Sequence, residues 1–251
     1  MKLSKLSYAV VVASLMAAGV AQAAVTSAGS VALTSDYLFR GISQSDEGMA
    51  VQGSVTLNHD SGVYFTAWAS SIAEEATTEP EQAGLEVDTL LGYAFKSGEV
   101  TYDVGVMRYN YPGADNKTND TRYSYNEVYA SAAVAGAKVG VAVSDDYFGE
   151  TGKFLYVYAD YGVALNDKVN LTTHVGWNKF DNDGTNNFLG GNSDAYFDYK
   201  LGLNTTVAGL TVEAAYIGAD SIAEATYADL ADGRAVFTVS KSFKLTDLNE
   251  N

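Results

Sequence analysis

Apolar and polar side chains alternate along most of this sequence, and the alternating segments are joined by connections that are short and long in turn. In Val169–Phe180 the odd positions hold Val169, Leu171, Thr173, Val175 and Trp177. The even positions hold Asn170, Thr172, His174, Gly176 and Asn178. A period of two puts one set on each face of a β-strand. Residues 193–206 repeat it, with Ala195, Phe197, Tyr199, Leu201 and Leu203 opposing Asp198, Lys200 and Asn204. Val100, Tyr102, Val104 and Val106 likewise oppose Thr101, Asp103 and Gly105. Further strands are expected near 31–40, 48–59, 62–71, 84–95, 123–135, 137–147, 153–165, 209–217 and 233–244. In 62–71 the pattern conflicts, because Tyr64 and Trp68 compete with Val63 and Phe65 for the apolar face.

Short turns fall at His59-Asp60-Ser61-Gly62, Lys96-Ser97-Gly98-Glu99, Ala135-Gly136-Ala137, Asn166-Asp167-Lys168 and Val207-Ala208-Gly209. Each carries the Gly, Asn, Asp or Ser that hairpins need. Between them lie longer polar connections near 40–48, 72–83, 111–122, 181–192 and 218–232, and a shorter one at 148–152. A soluble sandwich has no reason to keep that rhythm. A transmembrane, antiparallel, up-and-down β-barrel does, with short periplasmic turns, longer external loops and an even number of strands, here about twelve. Such a sheet must close, since an open edge in hydrocarbon leaves peptide groups unpaired at several kcal/mol each.

The N-terminus agrees with an exported chain. Lys2 and Lys5 precede an apolar stretch over 6–20, and Ala21-Gln22-Ala23 forms a small-x-small cleavage site. Residues 1–23 are therefore expected to be a cleaved secretory signal read by the general secretory pathway, and 24–251 a single barrel domain in the bacterial outer membrane. Beyond the signal no apolar run approaches the roughly 20 residues of a membrane helix. The chain has no Cys, so no disulfide framework holds it. Removing Lys2 and Lys5 from 15 basic residues leaves 13 against 31 acidic ones, a net charge of −18. That excludes nucleic acid as an electrostatic partner. The expected partners are outer-membrane lipid and lipopolysaccharide, the barrel assembly machinery, and small solutes.

Tyr37, Phe39, Tyr93, Phe95, Tyr109, Tyr111, Tyr123, Tyr125, Tyr147, Phe148, Trp177, Phe180 and Phe243 lie near strand ends, positions that suit aromatic girdles at the two interfaces, although some can be core aromatics instead. Strand parity sends Asp36, Arg40, Glu86, Asp88, Asp103, Glu127, Asp160, His174, Asp198, Lys200, Glu213, Arg234 and Lys244 into the lumen. A lipid-facing Lys or Arg near midplane would cost about 2–4 kcal/mol, which favours that placement. Lys241 shares the apolar parity of Phe237, Val239 and Phe243, close enough to the strand end to snorkel. Two readings of the lumen stay open: an acidic water-filled path, or charges that pair across a narrow barrel and plug it.

The stretch Ser35-Asp36-Tyr37-Leu38-Phe39-Arg40-Gly41-Ile42-Ser43-Gln44-Ser45, continuing to Val51-Gln52-Gly53, resembles the signature of the TorF porin family of proteobacteria. Leu85-Glu86-Val87-Asp88 and Val239-Ser240-Lys241-Ser242-Phe243 extend the resemblance along the chain. It implies an outer-membrane barrel with a pore role. Met49 stands where that pattern has a proline, and 244–251 follow Phe243, where relatives tend to stop.

Enzymatic chemistry has little to stand on. His59-Asp60-Ser61-Gly62 reads as a hairpin turn rather than a triad, because neighbouring side chains on a tight turn point apart. His174 has no adjacent Ser or acid in sequence. Asp181-Asn182-Asp183-Gly184 opens like a calcium loop but lacks the later Glu. The acids Glu74, Glu75, Glu79 and Glu81 form a solvated external loop that could gather divalent ions. No cofactor and no metal site is expected. The expected function is a passive channel for small cations or neutral molecules. The alternatives are a closed structural or adhesive barrel with acidic loops and, third, a lipid-active barrel enzyme.

Overall fold

The computed structural model describes residues 25–73, 83–114, 122–181, 187–191 and 193–247. The signal at 1–23, the loop acids Glu74, Glu75, Glu79 and Glu81, and Asn182-Asp183-Gly184 lie outside the described residues. Twelve antiparallel strands form one closed barrel in which each strand pairs with its neighbours in sequence and the last pairs with the first. They are β1 (Val25–Thr34), β4 (Ala50–His59), β5 (Val63–Ser71), β6 (Leu85–Ser97), β7 (Val100–Asn110), β8 (Tyr125–Val134), β9 (Ala137–Ser144), β10 (Phe154–Ala164), β11 (Val169–Phe180), β12 (Ala195–Val207), β13 (Leu210–Ala219) and β14 (Arg234–Asp247). A separate hairpin, β2 (Leu38–Phe39) and β3 (Ile42–Ser43), follows β1. The five short turns and the longer connections alternate as expected.

The outer face is apolar. Val104, Val106, Val128, Val139, Val175, Phe197, Leu201 and Leu203 are all exposed, a belt that only acyl chains solvate without cost. Parity holds even in β5, where the sequence conflict resolves cleanly: Val63 and Phe65 face out while Tyr64 is buried in the lumen. Tyr64 rests against Gly92, where an added Cβ would overlap its ring. The barrel closes where β14 meets β1, from Thr34↔Thr238 to Thr26↔Asp247, with a bulge between Ser27 and Ala28. Residues 244–247 therefore prolong the last strand beyond Phe243, with Ala28↔Lys244 among the pairs. Lys241 and Lys244 are both exposed near the short-turn rim, so Lys244 does not lie deep in the lumen as parity suggested.

Further expectations are corrected. The first strand spans Val25–Thr34 rather than 31–40, so Asp36 and Arg40 are not strand residues. After Thr34 the chain turns inward: the Thr34 hydroxyl donates to the Asp36 carbonyl at 2.8 Å, and the 35–49 connection folds into the barrel mouth. The aromatic girdle is also smaller than expected. Tyr93, Phe95 and Tyr102 stack on the outside near the short-turn end, at 5.6 and 5.2 Å between centroids. Trp177 and Phe243 share the outward parity. Tyr37, Phe39, Tyr109, Tyr111, Tyr123, Tyr125, Tyr147, Phe148 and Phe180 instead pack together inside. There ring packs on ring, Tyr109 on Tyr125 at 4.4 Å and Tyr147 on Phe154 at 4.2 Å between centroids.

The connection expected as a polar loop over 218–232 spans 220–233 and contains a short helix α1 (Ser221–Tyr227). Asp220 caps it, accepting from the Ile222 and Ala223 amides. Tyr227 donates to the Phe188 carbonyl at 2.7 Å and Thr226 to the Leu189 carbonyl at 3.0 Å, which lays this helix over the long-loop end of the barrel.

Candidate functional site

The long-loop end of the lumen is filled by the β2–β3 hairpin, and its sequence explains why it folds there. The Asp36 carboxylate accepts from Ser43 at 2.6 Å and Ser45 at 2.9 Å, and the Ser45 hydroxyl oxygen accepts from the Tyr37 amide at 2.9 Å. Arg234, the first residue of β14, pairs with Asp36 at 3.1 Å and with Glu47 at 3.2 Å. These bonds knot the two legs of the connection and tie them to the wall. Arg40 and Gly41 make the two-residue turn, both with positive φ, 50° and 79°. That turn type suits a hairpin. A Cβ on Gly41 would approach the Gly218 carbonyl oxygen to 2.5 Å, so the tip is pressed against β13.

Arg40 is the centre of the plug. Its guanidinium makes two bonds of 2.8 Å to the two carboxylate oxygens of Glu127 on β8. The Arg40 and Glu127 side chains are 7% and 3% exposed. Rings of Phe39, Phe154 and Tyr156 lie 4.7, 4.6 and 4.3 Å from the guanidinium carbon. Tyr109 donates to Glu127 at 3.2 Å, and Tyr196 donates to the Arg40 carbonyl at 3.0 Å. Burial disfavours charge on Arg40, but the Glu127 carboxylate against it overrides that and keeps the guanidinium protonated. A non-glycine residue in the left-handed region costs of order 1–2 kcal/mol, which the forked, aromatic-lined ion pair offsets.

Below this level a polar network runs toward the short-turn end. Tyr156 on β10 lies under Arg40 and its hydroxyl meets His174 Nε2 at 2.7 Å and donates to Asp198 at 3.2 Å. His174 on β11 bridges Asp160 through Nδ1 at 2.6 Å and Asp198 through Nε2 at 2.9 Å. Asn178 donates to the other Asp198 oxygen at 2.7 Å. The two carboxylates that sequence could not supply to His174 thus come from the strands on either side, β10 and β12. No hydroxyl or thiol nucleophile other than the Tyr156 phenol bonds to His174 among the described residues. Lys200 pairs with Glu213 at 2.7 Å, and Thr172 donates to the same carboxylate at 3.1 Å. On the opposite wall Asp103 accepts from Tyr64 at 2.9 Å and Tyr129 at 3.3 Å. Glu86 and Asp88 on β6 lie beside Tyr37 and Tyr111, with Tyr111 donating to Glu86 at 3.2 Å.

Twelve of the thirteen predicted residues, all but Lys244, therefore sit inside the barrel, Asp36 and Arg40 by way of the infolded hairpin and the others on the inward faces of strands. They do not form a single ring. Parity missed the aromatic filling around them, and it missed Arg108, which shares the outward parity of Val104 and Val106. Arg108 lies near the long-loop end of β7, bonded to Asn110 at 3.0 Å and Asn126 at 3.1 Å. Its place two residues after Val106, on the same parity, was the signal available in the sequence. Solvent exposure along the lumen is graded. On β11, Phe180 and Asn178 are buried, whereas His174, Thr172 and Asn170 are half-buried. On β10 the same change runs from Phe154 and Tyr156 to Tyr158 and Asp160. Among the described residues no group of three His, Cys, Asp or Glu side chains forms a metal cluster.

Solved membrane proteins share this architecture. One described in work on in-meso crystallization of membrane proteins matches with a TM-score of 0.52 at 8% identity, over 88% of this chain and 84% of the other. The NanC porin matches with a TM-score of 0.48 at 11% identity, over 88% and 100%. The COG4313 outer membrane channel of Pseudomonas putida F1 gives 0.41 at 12%, over 90% and 97%. At such identities the likeness concerns the fold alone, and only the first of the three is strong enough to support it. No curated protein matches the sequence. A family model spanning residues 18–243 does, ending at Phe243. With that span, the chain belongs to the Gcw_chp family of bacterial proteins of unknown function.

Proposed function

We propose that the protein is a passive outer-membrane channel for small cations and neutral solutes, closed at its outer end by the hairpin that carries Arg40. The graded lumen carries this reading. Hydroxyl and charged side chains line a wetted vestibule at the short-turn end, while the opposite end is blocked by a segment hinged on one connection rather than by the wall itself. Eight acids, Asp36, Glu86, Asp88, Asp103, Glu127, Asp160, Asp198 and Glu213, outnumber Arg40, Lys200 and Arg234 along the inside, which favours cations over anions. The resemblance of 35–53 to the TorF porin signature supports the same role. In this reading the leader over 1–23 is removed on export. The assembly machinery inserts the barrel, lipid and lipopolysaccharide surround it, and no catalysis or cofactor is involved.

One observation favours a closed structural barrel instead: among the described residues the Arg40–Glu127 pair and the packed rings fill the long-loop half of the lumen. Planar-bilayer recording separates the two. A channel gives discrete ion steps and a reversal potential biased to cations, with larger steps once Arg40→Ala loosens the hairpin. Silence from both the wild type and Arg40→Ala would leave the closed barrel.

A further inference from the structure

Glu86 and Asp88 are the two buried acids with an unpartnered oxygen among the described residues. They project from the same inward face of β6, two residues apart, and are 1% and 8% exposed. Glu86 Oε2 and Asp88 Oδ1 are buried without a hydrogen-bond partner among the described residues. Tyr111 satisfies the other Glu86 oxygen, and Tyr37 and Trp68, 5.4 Å apart in edge contact, close the space beside them. Neither acid joins an ion pair among the described residues. The nearby cation, Arg40, is committed to Glu127 through both nitrogens. Three carboxylates face one guanidinium, so Glu86 and Asp88 are left without a cation in a place closed to bulk water. An ionised carboxylate is disfavoured there unless it is compensated, so this pair holds either protons or a cation.

We infer that Glu86 and Asp88 bind one hard divalent cation of the calcium or magnesium kind, under the roof made by Tyr37. Carboxylate oxygens are the donors such ions take, and magnesium is commonly held by one or two carboxylates with waters carried in to complete its shell. A single divalent ion also cancels the two surplus charges. The site is distinct from the plug's ion pair, and because Tyr37 belongs to the infolded connection, the ion would tie that connection to β6. The inference stands whether or not the barrel conducts, since it is read without a membrane current.

Terbium(III), a hard ion that replaces calcium and is sensitised by nearby tyrosine and tryptophan, tests it in the refolded mature barrel. Saturable terbium luminescence is expected, displaced by excess calcium and reduced at least tenfold in the Glu86→Gln/Asp88→Asn double variant. Exposed acids elsewhere also attract terbium, so the difference between the two proteins is the quantity read. Calcium should raise the unfolding midpoint of the wild type and leave that of Asp88→Asn unchanged, which serves if the double variant does not fold. Equal luminescence from the two proteins, or a calcium-independent wild-type midpoint, would overturn the site and assign the pair to shared protons.

Discussion

Arg40 does two things that conflict locally and agree globally. Its backbone takes a left-handed conformation that side chains other than glycine resist, yet its guanidinium gains a forked carboxylate and a bed of rings. Taking away one partner of a buried ion pair costs about 3–5 kcal/mol, because the survivor stays desolvated. Glu127→Gln should therefore lower the unfolding midpoint in denaturant strongly. Arg40→Ala/Glu127→Gln should recover part of that loss, since no lone charge remains. Additive losses in that double-mutant cycle would mean the pair is not coupled. Arg40 and Asp36 were legible as inward-facing charges, but for the wrong reason. Parity placed them on a wall strand, and the serines at 43 and 45 that draw Asp36 inward carry no period to read.

At the level of the strand, facing is what the sequence states most clearly. Asp103 and Val104 are neighbours on β7, one bonded to Tyr64 inside and the other exposed on the belt. Arginine at 104 should suppress assembly in lipid, by the roughly 2–4 kcal/mol that a midplane cation costs. Arginine at 103 should be tolerated far better, and equal yields of folded, heat-modifiable barrel would contradict the assignment. Strand number, short turns and lumen parity were readable because they depend on local periodicity and turn chemistry. The aromatic filling was not. An inward tyrosine and an interfacial tyrosine occupy similar places near a strand end, and only the partner surface tells them apart. The His174 bridge was hidden for a similar reason: Asp160 and Asp198 reach it through strand register, which pairs Asp160↔His174 and His174↔Lys200 without leaving a sequence motif.

For the whole molecule, closure rests on the pairing of β14 with β1, which joins the last strand to the first across a bulge. Residues 244–247 add pairs beyond the point where the family match stops. A chain ending at Phe243 should still form a barrel, because Gly29↔Phe243 through Thr34↔Thr238 remain, but it should unfold at lower denaturant. Loss of folding altogether would make the extension essential.

The hairpin leaves β1 at the start of the chain, yet its contacts lie on β8, β10, β12 and β14, all formed later in sequence. Once β14 has met β1 there is no gap in the wall through which it could enter sideways. Unless it threads in from the open rim afterwards, the wall must wrap around it as a mandrel. The segment that blocks the mouth would then also set the curvature to which the later strands are laid down.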